Sequence, residues 1–172
     1  MTAPPLGERE AWQRGPLPGV PPLLQPVAHA LVQVGEDARR ASGTLPDDVL
    51  WARPAGVAAA GFHLRHIAGV VDRLFTYARG ESLSEAQLAH LAAEGDATAL
   101  PNDATSLLAA LDAAIARALD QLRATDERTL ADPRTIGRAR LPTTVTGLLT
   151  HAAEHASRHV GQLIVTARVA RR

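Results

Sequence analysis

Pro4, Pro5, Pro16, Pro18, Pro21, Pro22 and Pro26 crowd the start of this chain. Each fixes φ and removes a backbone donor, so no long helix can begin there, and residues 1–25 are expected to form an extended or wrapping arm. From residue 26 to 172 a single globular domain is expected. Four stretches rich in Ala and Leu, roughly 26–41, 54–79, 103–125 and 143–170, are helical in composition. A shorter helix over about 84–94 is expected after the second. Turn chemistry separates them: Ser42-Gly43-Thr44, Arg79-Gly80, and a loop from Asp132 through Gly137 to near Pro142. Period-two alternation is nearly absent. The expected fold is all-α, a four-helix bundle with a Pro-rich N-terminal arm.

Periodicity supports the helices. Val57, Ala60, Leu64, Ile67, Val71, Leu74 and Ala78 recur at threes and fours along the second stretch. Leu107, Leu108, Leu111, Ile115, Ala118, Leu119 and Leu122 do the same along the third, while Asp112, Arg117, Asp120 and Arg123 include its wet side. Asp103 and Thr143 read as helix N-caps.

Charge and composition exclude several functions. Lys and Arg total 18, all of them arginine, against 18 acids, so no net field favours nucleic acid or an acidic membrane. The absence of cysteine removes disulfides, thiolate metal sites and a cysteine nucleophile. No run reaches the ~20 apolar residues of a membrane helix, and the first residues lack signal-peptide character, so a cytoplasmic protein is expected.

The histidines carry the chemistry. His151, His155 and His159 are four apart on the last helix, so each is displaced ~40° from the previous one, and neighbours share a face. The apolar positions Val145, Leu148, Ala152, Ala156 and Leu163 centre beyond His159, with His155 next and His151 at the polar edge. Periodicity therefore favours His155 with His159 as an imidazole pair. Imidazole suits Zn, Ni, Cu and Fe, and a pair needs a third ligand from a facing helix, for which His63 and His66 are the donors. Periodicity puts His63 nearer the centre of the second helix's apolar stripe and His66 at its flank. His29 and His90 lack a spacing partner. Arg158, Arg138 and Arg140 are candidates for an anionic substrate group, with Arg158 the candidate cofactor contact. Glu94 is a candidate carboxylate ligand or base, and Gln162 a candidate outer-shell partner.

Phe62-His63-Leu64-Arg65-His66-Ile67-Ala68-Gly69 and His155-Ala156-Ser157-Arg158-His159-Val160-Gly161-Gln162 resemble the DinB/YfiT-like metalloenzyme superfamily. The Trp12-Gln13-Arg14-Gly15-Pro16 arm looks like one of its branches. The resemblance implies a four-helix bundle binding a divalent metal through His66, His155 and His159; Zn or Ni is the expected ion, with Fe or Mn next. It also implies a homodimer and a small-molecule substrate.

Three neutral imidazoles leave one position open on a tetrahedral ion. Several members of the resembled superfamily use a low-molecular-weight thiol, and a cysteine-free chain would have to borrow one. The expected activity is a metal-dependent transferase joining a small thiol to an electrophile, with metal-bound hydroxide or His63 the candidate base. The alternatives are a non-enzymatic, stress-related metal-binding bundle and a hydrolase using the same site.

Overall fold

The computed structural model of the protein describes residues 9–99 and 101–172. Its helices are α1 (Gln25–Ser42), α2 (Asp47–Leu50), α3 (Ala60–Ala78), α4 (Glu85–Ala93), α5 (Ala104–Ala124) and α6 (Val145–Ala170), with a β-hairpin of β1 (Pro133–Ile136) and β2 (Leu141–Thr144) between the last two. The expected helical fold is observed. The first eight residues of the arm lie outside the described chain; from residue 9 it follows α1 through two short turns. Gln33 accepts a hydrogen bond from the Ala11 N–H at 2.8 Å, Arg14 pairs with Glu36 at 2.7 Å, and Val20 and Leu24 enter the core.

The four long helices form a ring in which α1 packs on α5 and α6, and α3 packs on the same two. Their directions follow from side-chain contacts. Arg171 reaches Ala41 and Thr44, which makes α6 parallel to α1, whereas the His63–His159 and His66–His155 contacts run α3 antiparallel to α6. Arg117 with Asp72 and Gln121 with Arg79 make α5 parallel to α3. Consecutive parallel helices cannot be joined by a tight turn, so the chain needs a long crossover from α3 to α5, and α4 with residues 94–103 provides it.

Local chemistry explains most boundaries. Pro26 sits in the first turn of α1, where its missing N–H costs nothing. Ser84 and Gln87 form a reciprocal capping box on α4, and Asp103 caps α5 by accepting from the Ser106 N–H at 2.8 Å. Three expectations are corrected. Helix α3 begins at residue 60 rather than 54, because Pro54 opens only a single turn that the left-handed Ala55 and Gly56 close; Val57 is consequently exposed. The α6 cap is Thr144, which accepts from the Gly147 N–H at 3.1 Å, whereas Thr143 pairs with Arg134 in the hairpin. The segment expected as a loop is that antiparallel hairpin, with Arg138 and Arg140 exposed between its strands rather than leading directly into α6.

The core is aliphatic: Leu31, Leu64, Leu111, Leu149 and Leu163 are fully buried, one or more from each long helix. Few aromatic side chains intervene, so helix contact rests on many small dispersion gains and leaves little slack to refill a void. Leu111→Ala should destabilise the chain by about 2–5 kcal/mol. Chemical denaturation checks this, and a loss below about 1 kcal/mol would show that the centre of the bundle lies elsewhere.

Candidate metal centre

On α3, His63 and His66 are three residues apart; on α6, His155 and His159 are four apart, and both spacings return side chains to one face. Antiparallel packing of the two helices then sets them opposite in pairs. His63 Nδ1 lies 3.1 Å from His159 Nδ1, and His66 Nε2 lies 2.9 Å from His155 Nε2. One nitrogen each from His66, His155 and His159 lie within 4.8 Å of one another, spacing that suits a shared metal ion. Phe62 covers this cluster, stacked on His66 with 14° between the rings.

Both readings of the α3 periodicity hold. His63 is buried in the stripe, and His66 lies at its flank with its side chain 16% exposed, opening toward the α3–α6 groove. His63 is beside the triad, its Nδ1 engaged by His159. Only one of those two facing nitrogens can carry a proton in a neutral pair. If His159 Nδ1 donates, its Nε2 lone pair is left free for an ion and His63 acts as the acceptor that orients it.

Burial pushes the His63 pKa down to about 4, assisted by His66. Burial and the neighbouring His66, His155, His63 and Arg158 likewise push His159 down to about 4. His155 is lowered by burial and then by His66, and its Nδ1 is buried with no hydrogen-bond partner. His63, His155 and His159 are thereby held toward the neutral form, the protonation state that metal coordination requires.

Glu94, at the start of the crossover after α4, is buried, and the sequence did not reveal what it touches. Its Oε2 accepts from His66 Nδ1 at 2.7 Å, and its Oε1 lies 2.7 Å from Arg73. Burial alone would raise its pKa, but the His66 hydrogen bond and the Arg73 charge outweigh that and hold it below the ordinary carboxylate range. Glu94 thus contacts the ring nitrogen of His66 that faces away from His155. The only sequence signals were a glycine inside α3, Gly69, and two arginines, Arg65 and Arg73, on a helix that is mostly buried.

The remaining candidates lie apart. His151 is exposed and pairs with Glu154 at 3.3 Å, and His29 Nε2 contacts the Gly15 carbonyl at 2.9 Å. His90 is half-buried, its Nδ1 3.8 Å from Glu94. Arg158 is exposed, one turn beyond Glu154 and bridged to it. Gln162 is exposed on α6. A cavity of about 270 Å³ adjoins the cluster, sharing the Phe62 wall and otherwise lined chiefly by Trp51, Ala58, Ala59 and Ala97, with Arg53 among its lining residues.

With this geometry in place, comparison with known families is decisive: the profile of the DinB superfamily matches residues 30–163. The chain belongs to the DinB superfamily. The match takes in α3, the crossover and α6 as far as Leu163, so all four clustered histidines and Glu94 fall within it. Comparison with curated proteins gives no match. Among the described residues, no helix of this DinB-superfamily chain is long and apolar enough to cross a membrane.

The lowered imidazole pKa values have a consequence for the DinB bundle itself. An unfolded histidine takes up a proton near pH 6.5, whereas folded His63 and His159 resist protonation until about 4. As pH falls, the unfolded state gains protons first, so the stability these residues contribute is complete above about 6.5 and drains away toward about 4. The chelator-treated protein should therefore lose melting temperature across that window, and His63→Phe should flatten the slope. A melting temperature independent of pH from 7 to 4 in the metal-free protein would contradict the lowered values.

Proposed function

We propose that this chain is a divalent-metal-binding DinB protein that transfers a low-molecular-weight thiol onto an electrophilic small molecule. The observation that carries the reading is the convergence of His66, His155 and His159 nitrogens within 4.8 Å in a chain without cysteine. These three residues are the proposed ligands. Zn and Ni are the proposed ions, which an all-imidazole donor set suits, with Fe next; Mn, which prefers oxygen donors, fits this set less well. Bound there, the ion would supply Lewis acidity that keeps a thiol deprotonated near neutral pH.

The protein's own groups account for the rest. His63 fixes the ring of His159, and its lowered pKa keeps it neutral. A neutral His63 that accepts at Nδ1 carries its proton on Nε2, so the base role expected of it is closed in that tautomer and the thiol proton leaves to solvent. The cavity beside Phe62 is the proposed place for the electrophile: Trp51, Ala59 and Ala97 exclude water from an apolar body, and Arg53 offers a positive charge. Arg158, exposed and bridged to Glu154 one turn before it, is the proposed cation for a carboxylate on the thiol. In the reaction the thiolate sulfur forms the new C–S bond, and the leaving group departs with the electron pair of the bond it breaks. The protein is proposed to act in the cytoplasm as a homodimer; a monomer mass in sedimentation equilibrium at high concentration would reject the dimer.

Two measurements test the proposal. Purified protein should carry about one divalent ion per chain, and His155→Ala or His159→Ala should empty the site; retained stoichiometry in both variants would refute the ligand assignment. Metal-loaded protein should accelerate loss of a chromogenic aromatic halide in the presence of small thiols, while metal-free protein and His159→Ala should not. Equal rates with and without metal would refute metal catalysis. Stabilisation by metal with no turnover across a broad thiol and electrophile panel would favour the non-enzymatic alternative, and thiol-independent ester cleavage the hydrolase.

A further inference from the structure

We propose that Glu94 is a positioning residue of the metal centre, held against His66 by a clamp that Arg65, Arg73 and the missing side chain of Gly69 build on α3. The inference rests on the reading of His66 as a ligand.

Among the described residues, Glu94 is the only buried carboxylate, and Arg65 and Arg73 are the only buried arginines. Charged groups leave water at a cost of several kcal/mol each, so their gathering at one place calls for partners that compensate. All three serve the same short segment. Arg65 donates to the carbonyls of Ala93 at 2.8 Å, Asp96 at 2.5 Å, Ala99 at 2.6 Å and Pro101 at 2.9 Å, fastening the crossover around Glu94 to α3. Its guanidinium also stacks 4.8 Å above Trp51. Lysine has neither the planar fork nor the number of donors for these contacts.

Arg73 then fixes the carboxylate from one side while His66 takes it from the other. His66, Gly69 and Arg73 follow one another at three and four residues, so they form a single stripe along α3, and the Glu94 side chain lies over it. Glycine in the middle of that stripe leaves room for this close approach. A Cβ at residue 69 would stand 2.6 Å from an Arg73 nitrogen, 2.7 Å from Glu94 Oε1 and 2.7 Å from His90 Cε1, so these side-chain ends would have to shift. Glycine in a helix interior is unfavourable by about 1 kcal/mol relative to alanine, and the close approach explains its presence.

With Nδ1–H of His66 committed to a carboxylate, the neutral ring presents a bare lone pair at Nε2, aimed at His155. Glu94 thereby sets the tautomer, the ring orientation and the basicity of a ligand it holds from behind.

The test combines metal affinity with a readout that needs no metal. Zn²⁺ affinity is measured by chelator competition, and Co²⁺ absorption on the loaded protein, for the unmodified chain, Glu94→Gln, Glu94→Ala and Gly69→Ala. Removing such an outer carboxylate should weaken binding about 10–100-fold in Glu94→Ala and shift the Co²⁺ bands, with Glu94→Gln falling between because its amide oxygen still accepts. Gly69→Ala should lose affinity although every donor atom remains. In parallel, ¹⁵N NMR of the metal-free protein should show His66 protonated at Nδ1, and Glu94→Ala should abolish that preference. Affinity within about threefold of the unmodified chain and an unchanged His66 tautomer in Glu94→Ala would overturn the proposal; should that variant not fold, the same comparison in Glu94→Gln decides it. Failure of the unmodified chain to bind Zn²⁺ at all would instead refute the metal reading, and the NMR result would still judge the hold of Glu94 on His66.

Discussion

Imidazoles cannot be packed between apolar helices with their nitrogens idle, since each unpaired polar atom removed from water costs about 1–3 kcal/mol. The contact of α3 with α6 gathers four of them, and much of the surrounding structure answers to that constraint. His63 and His159 satisfy one another, and His66 is engaged at both nitrogens, by Glu94 and by His155. Of these four rings, His155 is the one that keeps a buried nitrogen without a hydrogen-bond partner. The pattern is one of rings held from their outer sides and converging on a common centre.

The same constraint reaches well beyond the cluster. A buried carboxylate on His66 requires a compensating cation, which Arg73 supplies, and a backbone fixed closely enough to keep it there, which Arg65 secures. The crossover between the parallel helices α3 and α5 is therefore more than a connection. The topology demands a long segment at that place, and the histidine cluster uses it as its outer wall.

Much of this was legible in the sequence because it depends on period. The 3.6-residue repeat placed Leu64, Ile67 and Val71 in the core, ranked His155 and His159 above His151, and put His63 deeper than His66. What remained illegible depends on contacts between segments distant in the chain or on features that contradict local pattern. Nothing in the spacing of Glu94 places it behind His66, since that contact is made by a crossover whose path is set by Arg65 and by helix direction. The hairpin has only four residues in each strand and a proline in each, which hides any alternation. At the start of α3, Pro54 resembles a helix opening, and the left-handed backbone at Ala55 and Gly56 that ends its turn is a property of the folded chain.

The sequence separations within the cluster order its assembly. His66 and Glu94 are 28 residues apart, joined through α3 and α4, whereas His66–His155 and His63–His159 span 89 and 96 residues. Loop-closure entropy grows with the length enclosed, and long-range pairings are slow to form. During synthesis α6 also follows everything else the cluster contains. The carboxylate can thus take hold of His66 before its ligand partners arrive, so the tautomer of the first ring is decided while the site still lacks the two imidazoles that would complete it. On the proposed function, capture of an ion through all three imidazoles is a late event, reserved for chains whose last helix has docked, and an incompletely folded chain offers only the histidines of one helix at a time.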